Sequence, residues 1–468
     1  MKKHVLFFTF SLFALQHIAT AQLSSLHEKY TNDNDTVICI ANWGEGIDQF
    51  SVFATKNGKQ KFISLINHQD YFYSTPIPGN NITYMWKIKI PTYINVYGII
   101  APDSIVYFCG NTTENGISEA IIGYFNFYEA LMDSSITLNY HIIRSLNNLK
   151  KITQFYVNGT NKVFAYGNRA GDNDDKSLTP IVLEGYNILN SPTFYTADLI
   201  DETPNNLIDV GANQVLVGYS AQHNALTIRR LNFNGIFNSF PGQDRFLLFS
   251  STNEFLLNPL TTFMYPFFNM AIVSQYRQYP TAPPDIHVYI FDLLYNLQGP
   301  HPINAFYIRT GNIPFIPMDI SFNESDTILS ILCNRKFPSG LTKSVFLHAN
   351  PISTTEGSYV NFFHLDNVIF RKMKGILAPP YGTYGPYPSY ITNRDILSLS
   401  NNGHILIHSP FSGTDCFDKG QLVAHEIHTP EYEIETKPLA REERDANLET
   451  ITVSVKYVAS TNICYKIK

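Results

Sequence analysis

Val106-Tyr107-Phe108-Cys109-Gly110-Asn111 and Val163-Phe164-Ala165-Tyr166-Gly167-Asn168 are two versions of one phrase, an apolar run that stops on Gly-Asn. Each is followed by a polar loop and a second apolar run, Ala120 to Phe127 in the first case and Pro180 to Ile188 in the second. Both second runs close on an aromatic-Asn-apolar triplet, Phe125-Asn126-Phe127 and Tyr186-Asn187-Ile188. Leu231-Asn232-Phe233 and Phe291-Asp292-Leu293 are looser forms of that ending. A phrase that recurs every few tens of residues marks a repeat architecture, because each copy is one supersecondary unit.

Outward from these two copies, the first run recurs near Val37, Val106, Val163, Val215, Ala271, Ile328 and Ile405, with gaps of 69, 57, 52, 56, 57 and 77 by subtraction. The four central gaps agree and the outer two carry insertions. Seven strand–loop–strand units, each with room for four short strands, resemble the β-propeller architecture, whose blades take ~40–50 residues. The resemblance covers nearly the whole chain after residue 21. It is to an architecture and not to a family. The Gly-His…Trp-Asp pairing of WD repeats and the paired glycines of kelch blades are absent. Trp43 and Trp86 are the two tryptophans, so the recurrent Trp of sialidase-type Asp boxes or quinone-dependent dehydrogenases has no place. No active site carries over from those families. The competing architecture with the same short strands is a string of tandem β-sandwiches.

Composition agrees with an all-β fold. Aromatic residues make up 14% of the 468, with 29 Tyr and 34 Phe, while charged residues are 15%. Tyr, Phe, Val, Ile and Thr suit a pleated, half-buried surface. Asn-Gly pairs at 57–58, 115–116, 158–159, 234–235 and 402–403 favour tight hairpins, because both central residues of such a turn need positive φ. The clearest hairpin joins Phe50–Thr55 to Lys61–Ile66 across Lys56-Asn57-Gly58-Lys59. Only Pro438 to Leu448 is charge-rich enough to read as a solvent-facing helical turn or a mobile loop, and Ile451-Thr452-Val453-Ser454-Val455 after it alternates as a half-buried strand does. A ring of blades must deal with its edges. The C-terminal Ile451–Ala459 or Ile463–Ile467 is therefore expected in one sheet with Val37–Asn42.

The N-terminus reads as a cleavable signal peptide over 1–21. Lys2 and Lys3 are a positive start, Val5 to Leu15 an apolar run, and Ala19-Thr20-Ala21 a small-x-small cleavage site, leaving 22–468 as the propeller domain. The apolar run is shorter than the ~20 residues of a membrane span. The expectation is export to the periplasm, cell surface or medium, with no stable membrane insertion after cleavage. Of five cysteines, Cys39, Cys109 and Cys333 lie in apolar runs as small buried groups, and Cys416 and Cys464 remain free to pair. No CxxC spacing suggests zinc. The net charge of −6, with no basic run beyond Arg229-Arg230, argues against nucleic acid as partner.

Asp172-Asn173-Asp174-Asp175 has the oxygen ligands of a cation loop, but Ser177 and Leu183 stand where such a loop needs Gly and Glu, so it reads as a solvated loop. His425-Glu426-Ile427-His428 spaces its histidines at i and i+3, where a zincin helix needs i and i+4. On a strand that spacing points them to opposite faces. His404 and His408 share a strand face about 13 Å apart, too far to chelate one ion. No Gly-x-Ser-x-Gly elbow or phosphate-binding Gly-rich loop occurs. No metal and no cofactor is expected.

One aromatic segment reads as a binding site. Ala378 to Tyr390 places Tyr381, Tyr384, Tyr387 and Tyr390 three apart among Pro and Gly. That spacing in an extended, polyproline-like loop puts four rings on one side, for stacking on sugars or gripping a protein, or else for covering the core. Tyr276 to Pro284 has the same character. The sequence thus predicts an exported binding or scaffold protein with a glycan or protein ligand. The alternative is an extracellular carbohydrate-active enzyme, a glycosidase or lyase, with carboxylates on the propeller's axial face.

Overall fold

The computed structural model describes residues 23–467 except 30–34, 68–83, 127–128, 130–134, 171–175, 189–192, 198–202, 210–213, 221–224, 232–244, 250–256, 265–268, 277–283, 294–300, 376–395, 409–417, 427–431, 436–438, 444–446 and one to three residues at a few other turns. Strand β1 (Leu23–Lys29) opens it. Blade 1 is β2 (Thr36–Glu45), β3 (Asp48–Asn57), β4 (Gln60–Asn67) and β5 (Tyr84–Ile90). Blade 2 is β6 (Ile94–Ile100), β7 (Ile105–Thr112), β8 (Glu119–Asn126) and β9 (Ser135–Ile143). Blade 3 is β10 (Asn148–Val157), β11 (Thr160–Ala170), β12 (Lys176–Glu184), the short β13 (Asn187–Ile188) and β14 (Thr193–Ala197). Blade 4 is β15 (Thr203–Asp209), β16 (Gln214–Ser220), β17 (Ala225–Leu231) and β18 (Arg245–Phe249). Blade 5 is β19 (Leu257–Met264), β20 (Asn269–Tyr276), β21 (Asp285–Asp292) and β22 (His301–Ile308). Blade 6 is β23 (Phe315–Asn323), β24 (Ile328–Lys336), β25 (Thr342–Ala349) and β26 (Tyr359–Asp366). Blade 7 is β27 (Phe370–Gly375), β28 (Ile396–Ser400) and β29 (His404–His408), completed by β1, which pairs with β29.

The first strands contact one another in a closed circuit, β2 to β6, β10, β15, β19, β23, β27 and back to β2. That circuit defines a seven-bladed propeller with first strands around the axis and fourth strands outside. Apolar side chains fill the spaces between neighbouring blades. Ile63, Leu65, Ile88, Val96, Phe108 and Leu138 pack between blades 1 and 2. Val273, Ile290, Phe306, Ile331 and Leu347 do the same between blades 5 and 6. Burial on both faces is why these strands read as continuous apolar runs.

The repeated phrase has a geometric cause. In every blade the first strand carries an irregularity against the second: Val37/Cys39, Val96/Gly98, Leu149/Lys151, Pro204/Asn206, Leu257/Leu260, Pro317/Asp319 and Phe370/Lys372. Such a bulge brings the partner backbone close. A Cβ on Gly110 would lie 1.7 Å from the Asn95 carbonyl oxygen, and one on Gly167 would lie 1.9 Å from that of Asn148. Only glycine fits at these two points, which fixes the Gly of Gly-Asn.

Five of the seven repeat starts fall on second strands, and Val37 and Ile405 fall in the right blades on β2 and β29 instead. The second strands there, β3 and β28, end on Lys56-Asn57 and Leu399-Ser400 and so lack the Gly-Asn mark. The first hairpin turns one residue later than expected, with Asn57 opposite Gln60 and φ +57° at Gly58 alone. That is the turn with glycine at its first central position.

The C-terminal segment corrects one expectation and meets another. Within Pro438 to Leu448 the described residues are strand and not helix: β32 (Leu439–Glu443) and the start of β33 (Asn447–Ala459). Charged, alternating segments make good edge strands once a partner edge is offered. As expected for Ile451–Ala459, β33 shares a sheet with β2, pairing at its outer rim beyond β5, and β1 closes blade 7. The tail runs round the whole ring. β30 (Asp418–Glu426) pairs with β26 of blade 6 and β22 of blade 5. β31 (Tyr432–Glu435) adds to β18 of blade 4 and β32 to β14 of blade 3. β33 joins β9 of blade 2 to β5 of blade 1, and β34 (Thr461–Ile467) pairs with β1 of blade 7. This belt gives every blade an outer strand, in the reverse of chain order.

Candidate functional site

The predicted tyrosine loop, Tyr381, Tyr384, Tyr387 and Tyr390, lies outside the described residues, as do the signal segment, Asp172–Asp175, Cys416 and 277–283. Cys39, Cys109 and Cys333 are free thiols on strands. Burial pushes Cys39 up to about 12 and holds the other two well above the ordinary thiol range, so none serves as a thiolate at neutral pH. Among the described residues no group of three or more His, Cys, Asp or Glu is placed to hold a metal ion.

An aromatic and charged surface is assembled where the belt crosses from blade 6 to blade 5. Register builds it: His287 on β21 is opposite Tyr307 on β22, which is opposite His425 on β30. Cross-strand partners on one face touch, so the rings form a row. His287 and Tyr307 are 5.4 Å apart at 28°, and Tyr307 and His425 are 4.9 Å apart at 23°. The inner end is buried, where His287 Nδ1 lies 3.1 Å from the Tyr289 hydroxyl and burial lowers its pKa to about 3. The outer end is open. Arg309 donates from Nη2 to the Tyr307 hydroxyl at 3.0 Å. His425 Nδ1 meets Glu356 Oε1 at 3.0 Å, with Glu356 exposed. Asp285 accepts the Thr310 N–H. Burial raises its pKa, partly offset by that N–H, Arg309 and His425.

The turn carrying Glu356 is fixed to the belt by Gly357 N–H donating to Ala424 O and Ala424 N–H donating to Ser358 O. Beside it stand exposed apolar groups, Tyr359 at 69% and its register partner Val423 at 40%. Asn304 donates to the carbonyls of Pro351 and Thr354, which brings exposed Ile303 near exposed Ile352. Aromatic, arginine and aliphatic groups around a polar rim are the composition of a recognition surface. Leu422 to Ile427 reads as strand from the sequence, and β30 bears this out as far as Glu426, but sequence reading missed this surface. His425, Tyr307 and Glu356 are far apart in the chain, and only the tail's path unites them.

No protein-family model and no curated protein sequence matches the chain. Among solved structures it is similar to the β-propeller domain of Myceliophteria thermophila Cps50 (Swd1), at 8% identity and TM-score 0.43, covering 82% of this chain and 98% of that one. Sqt1 from Chaetomium thermophilum aligns at 9% identity and TM-score 0.39, covering 83% and 98%. A GH32 β-fructofuranosidase from Bombyx mori, in complex with sucrose, aligns at 6% identity and TM-score 0.29, covering 94% of each chain. The propeller assignment rests on the strand circuit described above.

Proposed function

We propose that this chain is an exported scaffold that binds a protein partner on the surface where the belt joins blades 5 and 6. The propeller supports a binding or scaffold role. The observation that carries the choice of site is the cluster of Tyr359, Val423, Tyr307, Arg309 and His425 on one exposed face. Tyr and Arg are the commonest anchors of protein interfaces, and truncating one costs at least about 1–2 kcal/mol of binding. Export is supported by Lys2-Lys3, Val5–Leu15 and Ala19-Thr20-Ala21. β1 begins at Leu23, so cleavage after Ala21 leaves every described strand intact.

Affinity capture from envelope and culture-medium extracts of the source organism, compared between wild type and Tyr359→Ala, tests the reading. The expected result is a protein that co-purifies stoichiometrically with wild type and is depleted at least about tenfold with the variant. A partner retained equally by both proteins overturns the site. A glycan-array signal lost in Tyr359→Ala, with no protein captured, would transfer the site to a sugar.

A further inference from the structure

Lys151 and Lys372 are the residues after the bulges on the first strands of blades 3 and 7. Lys151 belongs to blade 3, whose ring neighbours are blades 2 and 4. Its ammonium nevertheless feels the charge of Lys372 on blade 7 and of Asp319 on blade 6, and it lies near Cys39 of blade 1 and Cys109 of blade 2. A side chain from blade 3 meets blades 6 and 7 only across the axis, so these groups project into the central channel. Lys151 and Lys372 are both half-buried: water reaches them, yet the ring of first strands encloses them. The Asp319 carboxylate already accepts the Met373 N–H at 2.9 Å. Neither ammonium has a hydrogen-bond or ion-pair partner among the described residues.

Two cations and one carboxylate leave a net positive charge inside a wall of protein. Burial lowers Lys151 to about 8, with the neighbouring Lys372 acting in the same direction and Asp319 against it. Cys39 and Cys109 add none, because burial keeps both thiols protonated. Low-dielectric walls strengthen attraction for an entering anion.

We propose that the channel binds one compact oxyanion, a phosphate or carboxylate group, between the ammonium groups of Lys151 and Lys372. The site is independent of the belt-seam surface. Calorimetric titration at pH 6.5 with inorganic phosphate, and separately with glucuronate, is the test. One saturable site per chain is expected for at least one of the two. Binding of phosphate alone assigns the site to a free inorganic anion, and binding of glucuronate assigns it to an acidic sugar. Lys151→Met and Lys372→Met should each weaken binding at least tenfold, and Lys151→Arg should retain it. At pH 9.5 the wild-type protein should bind at least tenfold more weakly, as Lys151 loses its proton. Each Met variant removes one of two repelling charges, so an unchanged or higher melting temperature verifies its fold. Binding of neither probe, or binding undiminished in the double Met variant, overturns the proposal.

Discussion

Acid should unfold this propeller through histidines hidden between its blades, and His408 is the sharpest case. Its ring, 2% exposed on β29 of blade 7, lies 4.8 Å from Phe346 and 5.7 Å from His348 of blade 6. Burial lowers its pKa to about 3, and His287 of blade 5 is held at about 3 for the same reason. His348 is shifted in the same direction by burial and by His408. In the unfolded chain each returns to ~6.5. Above that value both states are neutral and pH has no effect through these groups. Below it the unfolded chain takes up protons that the folded chain refuses. Stability then falls by about 1.4 kcal/mol per pH unit for each group until pH nears 3. At pH 5 His408 and His287 each cost about 2 kcal/mol, together a large share of the ~5–15 kcal/mol that holds a domain folded. Urea titrations followed by far-UV circular dichroism from pH 7.5 to 4 measure this. His408→Leu should lose stability less steeply than wild type, by about 1.4 kcal/mol per unit below pH 6, because carboxylates contribute equally to both. Parallel slopes would refute the burial argument.

Gly110→Ala forces a Cβ onto a backbone oxygen 1.7 Å away, where no side chain can yield. It should cost about 3 kcal/mol or more by chemical denaturation. Gly116→Ala, at φ +77° with nothing within 4 Å, should cost only about 1–2 kcal/mol. Ending the chain after Glu426 removes β31 to β34 and bares the outer edges of β18, β14, β5, β9 and β1. Light scattering should then show self-association that the full chain does not, since open edges recruit other strands. A monomeric, equally stable truncation would contradict a structural role for the belt.

The blades were legible because burial on two faces writes uninterrupted apolar strands, and because in blades 2 and 3 the bulge requires a glycine where backbones nearly touch. Gly110-Asn111 and Gly167-Asn168 show it most clearly. Blades 1 and 7 carry Thr55 and Ser400 at that position, and there the repeat start falls on β2 and β29, one strand from β3 and β28. The belt was not legible as a belt. Leu439–Glu443 has no apolar stripe of its own and becomes a strand because β14 offers it an edge. The Tyr307–His425 surface was hidden for the same reason, since residues 118 positions apart meet through that edge pairing.

The belt also determines where the chain's ends meet. Leu23 is in register with Ile467 on neighbouring strands of blade 7, so the start and finish of the described chain lie side by side. Because the belt pairs with the ring in reverse order, the last described strand lies against the first. The strand that completes the seventh blade therefore has its outer edge covered by the last described strand. A circular permutant that links these ends and opens the chain in the loop between β4 and β5 would keep both the ring and its belt.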